Sequence, residues 1–531
     1  MAERRATSAD HVDVVIVGAG AAGGVYADRL SQTGRRVVVL EAGPEKGLGD
    51  MLSSTLWSRR HKWGGAPVLL EGPNPIAHNV NTGSGIGGAA YHHYGTWPRI
   101  PVDVFEFKSR FGRGLDWGLR YPDLQPWYDR VQTEVGLSGD AAAEPWRGPG
   151  AAYPMKPLRT FRHGELLANG FRRLGLPVAP MPIAINSEVY RGRSACLYDG
   201  WCDAGCPIGA LANPLVTYLG WARQRGVEVR TGAAVTRILV DARGRARGVE
   251  YVRNGERHEQ VADLVVLAAS VIQNPRILLC SGETRRPGGG TNPGLANSSG
   301  LLGRYLLAEA MAFAYGMFPE PTEVWMGVSS GQYYSHGELA PKDRPDLFGG
   351  SQWQIGPAAK PNDIFGVAIT RPDLFGEALH RFVSDATQHL AYMVGFAGGV
   401  AFEENRIELD ASRNDANGTP LARATHRQSP AVLALSRHLN EQGLAVMQAA
   451  GASSAWNGPT ASGHISGGTI MGRDPASSVC DSFGRTHDIP NLVVAGAGLF
   501  PQTGGTSPTF TLHAVALRSA DHIAHHWRDY A

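Results

Sequence analysis

Cysteine is scarce in this sequence, and its distribution is uneven. Five of the 531 residues are Cys, and three of these lie close together, at Cys196, Cys202 and Cys206. A secreted fold held by disulfides would need several pairs along the chain, so this pattern excludes a disulfide framework. We therefore expect a protein of a reducing compartment and predict that it is cytoplasmic.

Long apolar runs and a charge excess of one sign are also missing. No apolar run approaches the roughly 20 residues that a membrane-spanning helix needs. The apolar stretch near the N-terminus runs directly into glycines, unlike a signal sequence. The formal net charge is only +2. The sequence therefore gives no reason to expect a membrane span or a nucleic-acid partner.

Glycine is abundant, with 68 residues, and its first cluster follows a short apolar run. The run at residues 14–17 predicts a buried parallel strand. Gly18, Gly20 and Gly23 follow in the G-x-G-x-x-G spacing, before a predicted helix and a second strand that ends on Glu41. This order is typical of a dinucleotide-binding turn; the alternative is a glycine-rich turn in an unrelated α/β protein.

Each residue type in this turn has a physical role. Gly18 permits the tight turn, Gly20 lets the backbone approach a pyrophosphate, and Gly23 lets the helix pack closely on the strand. The helix N-terminus offers free N–H groups to phosphates, and Glu41 can accept hydrogen bonds from an adenosine ribose. The pattern alone does not choose between a bound FAD and a passing NAD.

Patterns of a parallel sheet return far from this first turn. Residues 264–269 predict a buried strand followed by a helix, and residues 491–527 predict a strand, a glycine-rich turn and a helix. Residues 310–455 differ, because they mix alternating segments with polar stretches. We therefore predict an α/β fold in which a Rossmann-like domain is assembled from discontinuous segments and an α+β substrate domain, with an antiparallel sheet plus helices, is inserted into it. The predicted segments are 1–155, 210–308 and 456–531 for the first domain, and 156–209 and 309–455 for the second.

Several motifs together resemble the glucose–methanol–choline (GMC) oxidoreductase family, which binds FAD. The resemblance covers nearly the whole chain. Within the family, the segment 196–210 is similar to the bacterial branch of sugar and gluconate dehydrogenases, pyranose oxidases and aminoglycoside 6′-alcohol oxidases. The motifs are the first glycine turn with Glu41, Gly87-Gly88 with His92, residues 301–306, His464-x-x-Gly467-x-x-x-Met471-Gly472, and residues 491–496 with 507–511 and 514–523.

The resemblance implies an FAD-dependent enzyme that oxidises a hydroxyl-bearing carbon of a carbohydrate-like or aminoglycoside-like substrate. A hydride would pass to flavin N5. The first domain would then be the FAD-binding domain. The residues expected to hold FAD are Gly18, Gly20, Ala21, Ala22, Gly23, Glu41, Gly88, His92, Val235, Ala268, Gly496 and Thr509.

Two residues are expected to act on the substrate. The resemblance places His464 over the flavin, where a neutral imidazole can take the hydroxyl proton; the alternative is a His satisfied within a glycine-rich turn. Ser507 stands where the family usually has Asn or His. It could donate to the substrate oxygen, or it could cap the last helix, with Pro508 at the first helical position.

The residue that matches His92 is bonded covalently to FAD in pyranose and choline oxidases, but not in sugar dehydrogenases. We expect FAD to be held without a covalent bond here, and the alternative role for His92 is to pack on the flavin by shape.

The three clustered cysteines are spaced C-x5-C-x3-C, which suits either a soft metal centre or simple burial. The spacing resembles the segment that holds a [3Fe–4S] cluster in flavin-dependent glucose and fructose dehydrogenases. Cys196, Cys202 and Cys206 are therefore candidate metal ligands, with a disulfide or free thiols as alternatives.

Glu309 also departs from the family, which usually has Asp-His after Gly-Arg-x-Leu. The acid could recognise an amine-bearing substrate through a charge-assisted bond, or it could form a surface or interdomain salt bridge.

Two other functions fit parts of the pattern. One is a lyase of the same fold with a structural FAD, and the other is a flavin electron-transfer protein. The expected partners are a sugar, polyol or aminoglycoside as substrate, and oxygen or a redox partner as electron acceptor. The sequence does not decide the exact substrate, the acceptor or the oligomeric state.

Overall fold

A computed structural model describes residues 11–54, 65–76 and 83–531 of the chain. The predicted first segment, 1–155, is therefore described except for residues 1–10, 55–64 and 77–82. The helices are α1 (Ala21–Ser31), α2 (Phe107–Phe111), α3 (Tyr121–Val135), α4 (Arg162–Arg173), α5 (Tyr218–Gln224), α6 (Gln273–Leu279), α7 (Pro361–Ala368), α8 (Gly376–His389), α9 (Pro430–Ala450) and α10 (Thr509–His525).

The strands fall into several sheets. They are β1 (Val12–Val17), β2 (Val37–Leu40), β3 (Val68–Glu71), β4 (Ala179–Pro180), β5 (Glu228–Arg230), β6 (Ala234–Val240), β7 (Ala246–Arg253), β8 (Glu256–Leu267), β9 (Glu283–Arg285), β10 (Thr291–Pro293), β11 (Leu307–Met317), β12 (Tyr333–Gly337), β13 (Ser351–Ile355), β14 (Leu390–Ala397), β15 (Arg406–Asn414), β16 (Pro420–Thr425), β17 (Ser454–Asn457), β18 (Ala461–Ser466) and β19 (Leu492–Val494).

The first sheet has a parallel core in the order β5-β2-β1-β8-β19. β1 lies in the middle of it because its residues are apolar on both faces, as a strand covered by helices on both sides requires. Val14, Val15 and Ile16 have no exposed surface. The long β8 also pairs through its first half with the antiparallel strand β7, which pairs in turn with β6. Helix α1 packs against α5 and α10.

The second sheet is antiparallel and has the order β17-β11-β14-β13-β12-β4. β18 also belongs to it, because it pairs with another part of β11. Side chains alternate between its two faces. Ala310, Ala312 and Ala314 of β11 pack with Trp353 and Met393 in the core beneath helices α4 and α9. The other face therefore carries the intervening residues of these strands.

The predicted α/β fold, with an inserted antiparallel domain, is confirmed. Sheet membership departs from the predicted segments in two places. β18, which follows the boundary at residue 456, pairs with β11 in the second sheet. The hairpin β15–β16 pairs with β3 in a separate three-stranded sheet, although both its strands fall in the predicted substrate segment. Pairing over such sequence separations leaves no local signal, since it depends on the final packing.

The helices in the described part of the chain include none with the length and apolar character to cross a membrane.

Candidate functional site

A cavity of about 660 Å³ lies at the carboxyl ends of the parallel strands. Glu41 follows β2 there, Ala268 follows β8, and Gly496 follows β19. In open parallel sheets this edge is where ligands bind. The predicted residues that line the cavity are Gly18, Gly20, Ala21, Ala22, Glu41, Gly88, Val235, Ala268, Gly496 and Thr509.

Two glycines of the first turn, Gly18 and Gly23, leave no room for a side chain. Gly18 has a positive φ of 101°, and a Cβ there would lie 2.6 Å from the carbonyl oxygen of Ala268. A Cβ on Gly23 would overlap the carbonyl oxygen of Gly18. Gly23 is therefore not a lining residue; it holds helix α1 against β1, which is the close packing expected of it. Around Gly20 the nearest atom to a Cβ, the Gly88 Cα, is 4.0 Å away.

Glu41 ties three backbone segments together at the cavity wall. Its carboxylate accepts hydrogen bonds from the backbone N–H groups of Ala19 (2.9 Å), Gly43 (2.9 Å) and Gly85 (3.0 Å). An ionised carboxylate has about four acceptor positions, so one remains for a ligand hydroxyl. Glu41 is 7% exposed.

The turn of the β15–β16 hairpin lines the cavity through Asp415, Asn417 and Thr419, together with Arg276 of α6. Arg276 and Asp415 form an ion pair of 2.7 Å. These residues were missed. The Asp-x-Asn-Gly run at 415–418 is a hairpin signal, but nothing local places that hairpin over the cavity.

His92 is buried but does not line the cavity, and its neighbour His93 does. The Gly95 N–H donates to His93 Nδ1 (3.0 Å), so the proton is on Nε2, which donates to the carbonyl of Ala212 (2.6 Å). Burial lowers the pKa of His93 to about 4. Both ring nitrogens of this neutral imidazole are therefore engaged.

A β-bulge presents His464. In the pairing of β11 with β18, Ala308 faces Ile465 and Glu309 faces Gly463, so His464 is the extra residue. Its φ is +35°, an uncommon value for a residue with a side chain. Bulges of this kind re-aim a side chain. The imidazole stacks on Phe396 with ring centroids 4.5 Å apart and is 24% exposed.

Glu309 is completely buried beside this imidazole. Its Oε2 lies 2.6 Å from His464 Nδ1, and its Oε1 accepts a hydrogen bond from the hydroxyl of Thr503. Both oxygens are thus engaged within the protein. A surface salt bridge is excluded because Glu309 is buried, and its contact in the structure is with His464, which forms an ion pair only with a protonated imidazole.

Ser507 does not cap the last helix. Helix α10 begins at Thr509, with Pro508 as the preceding residue and no side-chain capping bond. The Ser507 hydroxyl instead accepts from Gln354 Nε2 (3.3 Å), and its N–H donates to Gln352 Oε1 (3.3 Å). Both glutamines come from β13 and were missed.

Sequence neighbours of the predicted catalytic residues line the cavity. These are Ile465, next to His464, and Thr509, two residues after Ser507. The side chains of His464 and Ser507 are not among the lining residues, so their catalytic roles stay predictions.

The three clustered cysteines do not support the predicted iron–sulfur cluster. Cys202 is buried in an apolar cluster against which Cys196 and Cys206 pack. Burial raises the pKa of Cys196 to about 11 and also raises that of Cys202. Within residues 11–54, 65–76 and 83–531, no group of three or more His, Cys, Asp or Glu side chains is arranged to hold a metal.

Comparisons with known proteins agree with this architecture. Models of the GMC oxidoreductase family match residues 12–295 and 401–516. The fructose dehydrogenase large subunit of Gluconobacter japonicus is 28% identical, over 96% of this chain and 97% of that protein. Paromamine 6′-oxidase of Streptomyces fradiae is 28% identical, over 96% of this chain and 91% of that protein. The solved structure of an FAD-dependent oxidoreductase from Chaetomium thermophilum has a TM-score of 0.67 at 16% identity, over 97% of this chain and 100% of that one.

Proposed function

Because the chain belongs to the GMC oxidoreductase family, whose members bind FAD, we propose that it oxidises a hydroxyl-bearing carbon of a carbohydrate-like or aminoglycoside-like substrate. The observation that supports the proposal is the contact of His464 with a buried acid at a β-bulge, next to Ile465, which lines a cavity built at the carboxyl ends of parallel strands. The named activities of the fructose and paromamine enzymes support this substrate class.

The cavity fits FAD. Its volume of about 660 Å³ lies in the range of cofactor sites, and Gly20 leaves open space where a phosphate must approach the backbone. FAD, when bound, supplies the hydride acceptor. The residues that would hold it are Gly18, Gly20, Ala21, Ala22, Glu41, Gly88, Val235, Ala268, Gly496 and Thr509, with His93 instead of His92 at the wall and with Gly23 packing behind the turn.

His464 is the proposed base. Its Nδ1 is engaged with Glu309, so Nε2 is the nitrogen left to take the hydroxyl proton. Ser507 is the proposed assistant, whose hydroxyl can donate to the substrate oxygen while it accepts from Gln354. A positioned base usually contributes about 10²–10⁴-fold to a rate.

The sheet face beside Ser507 supports a substrate rich in hydroxyl groups. The buried Nε2 of Gln352 and both buried ring nitrogens of His336 have no hydrogen-bond partner among the described residues. These two residues face each other across β12 and β13. Buried polar atoms are nearly always satisfied, so a polar ligand is a suitable partner for them.

Anaerobic reduction of the bound flavin tests the proposal. A panel of sugars, polyols and aminoglycosides should include a substrate that bleaches the flavin without oxygen, and His464→Ala should keep FAD but reduce the bleaching rate by about 10²–10⁴-fold. His525→Ala, at an exposed position, is the matched control. If no alcohol bleaches the wild-type flavin, the proposal is wrong, and a lyase with structural FAD becomes the better reading.

The electron acceptor is proposed to be oxygen or a redox partner. Reoxidation of the reduced protein separates the two: recovery of the yellow colour in air at the turnover rate would identify an oxidase, and recovery only with an added quinone or dye would identify a dehydrogenase.

A further inference from the structure

We propose that Glu309 is a positioning residue for His464, which fixes the tautomer of its imidazole and stabilises the charge that the imidazole gains when it takes a proton. This inference rests on the proposed function of the site and assigns a residue to it. It comes from the contacts of Glu309 in the structure. The sequence alone allows Glu309 either to recognise an amine or to form a surface or interdomain salt bridge.

The contacts of Glu309 are those of a carboxylate held in one orientation. The side chain has no exposed surface. One oxygen lies 2.6 Å from His464 Nδ1, a charge-assisted distance, and the other accepts a hydrogen bond from the hydroxyl of Thr503. Among the described residues, His464 is the only basic side chain within ion-pair distance of Glu309. Its contacts thus point to a single partner.

The backbone geometry of β11 and β18 brings Glu309 and His464 together. Glu309 lies at the register shift of β11, and His464 is the residue that bulges out opposite to it. The positive φ of His464 is a conformation that a side chain opposes. A short bond to a buried carboxylate offsets that preference. The bulge and the carboxylate of Glu309 therefore both fix the orientation of the His464 imidazole.

The chemical consequence concerns the two ring nitrogens. An ionised carboxylate only accepts hydrogen bonds, so Nδ1 carries the proton and Nε2 keeps its lone pair. When the substrate O–H bond breaks, an N–H bond forms at Nε2 and the positive charge of the imidazolium lies beside Glu309. Glu309 takes up no proton, and the two electrons of the substrate C–H bond leave as the hydride of the proposed reaction. This is the division of roles in a Ser-His-Asp triad.

Histidine NMR tests the tautomer without any substrate. The FAD-bound protein is labelled with ¹⁵N-histidine, and His464→Ala assigns the ring signals. Nδ1 should be protonated, with its proton strongly downfield, and Nε2 should be unprotonated. In Glu309→Gln the amide can donate to Nδ1, and the proton should move to Nε2. An unchanged His464 spectrum in Glu309→Gln, or a wild-type ring protonated at Nε2, would overturn the proposal.

A double-mutant cycle tests the role in the reaction. Glu309→Gln should slow anaerobic flavin reduction by about 10²–10⁴-fold, as when a base loses its correct tautomer, while the substrate KM changes little. In the His464→Ala background the same change should cost less than about threefold, because coupled residues are not additive. Equal losses in both backgrounds would show a merely structural role and refute the inference.

Thr503→Val keeps the test decisive if Glu309→Gln does not hold FAD. Valine removes the hydroxyl that fixes Oε1 and leaves the carboxylate charge, so the His464 signals should broaden or shift, and flavin reduction should slow by roughly tenfold, the worth of one strong hydrogen bond. No change in either measurement would contradict the positioning role. If no alcohol reduces the wild-type flavin, the proposed function fails, and the NMR result still decides the state of the pair.

Discussion

Gly23→Ala is the sharpest test of how the cofactor cavity is built. The new Cβ would overlap the carbonyl oxygen of Gly18 and would lie 3.1 Å from its carbonyl carbon and 3.4 Å from Ile16 Cγ2. Ordinary carbon contacts are about 3.5–4.0 Å. The Gly18 carbonyl oxygen belongs to the backbone and cannot rotate away, so helix α1 must move by roughly 1 Å to restore contact distances.

That movement has two measurable consequences. Overpacking of this kind costs about 1–3 kcal/mol in the free energy of unfolding. The N–H groups at the start of α1 also leave their positions at the cavity, and a displacement of about 1 Å can cost on the order of 100-fold in a positioned interaction. We expect a lower urea midpoint for the apoprotein and a Kd for FAD, from fluorescence titration, that is raised by about 10–100-fold.

Two matched variants separate these effects. Gly20→Ala places its Cβ no closer than 4.0 Å to any atom of the protein, so the apoprotein should stay stable while FAD binding weakens. Gly366→Ala, in helix α7 with open space around the Cβ, should be neutral or stabilising by up to about 1 kcal/mol in the free energy of unfolding. A Gly23→Ala protein that unfolds and binds FAD like the wild type would refute the reasoning.

Three further predictions concern the cavity and three buried histidines. Glu41→Ala should weaken FAD retention and lower the unfolding free energy by about 1–3 kcal/mol, because three backbone N–H groups lose their acceptor; calorimetry and the FAD content after gel filtration measure both. Acid precipitation should release FAD, since His92 does not line the cavity and both ring nitrogens of His93 are engaged; a yellow band with denatured protein would contradict this. Between pH 6.5 and 4 the unfolding free energy should fall, because burial lowers the pKa of His93, His163 and His513 to about 4. In this range the unfolded chain binds protons at these histidines and the folded chain does not, so each histidine lowers the free energy of unfolding by about 1.4 kcal/mol per pH unit. A urea midpoint that stays constant over this range would be the contrary result.

The parallel strands and the first glycine turn could be predicted because their signals are local. An apolar run buried on both faces, followed by glycines at fixed spacing, specifies a strand, a turn and a helix within about 20 residues. Gly18 and Gly23 could be assigned roles from spacing alone, and the structure places each in the contact that its role requires. The same local reading could not separate His92 from His93, since adjacent residues in a tight turn differ only in the direction of their side chains.

The environment of His464 could not be predicted for a different reason. A bulge is one extra residue in a strand pair, so it exists only relative to the partner strand. Glu309 lies 155 positions away from His464, and Thr503 lies 194 positions from Glu309. Sequence marked Glu309 as a departure from the family, but the partner of a buried acid is decided by packing. Ser507 was also misjudged from local sequence. Pro508 suggested that Ser507 caps the helix, but the helix begins at Thr509, so Pro508 is the N-cap residue.

The cysteine segment shows the limit of spacing as an argument for a metal. Ligand spacing states which side chains can meet, and Cys196, Cys202 and Cys206 do meet in one apolar cluster. A metal also needs its ligands arranged around one point, and among the described residues no group of three or more His, Cys, Asp or Glu side chains is arranged in this way. The polar cluster at His464 is defined by its contacts. Its buried acid has a basic partner at 2.6 Å and a hydroxyl donor on its second oxygen. Both oxygens of the buried carboxylate have hydrogen-bond partners, which offset the cost of burying its charge. A site proposed for proton transfer must meet this condition.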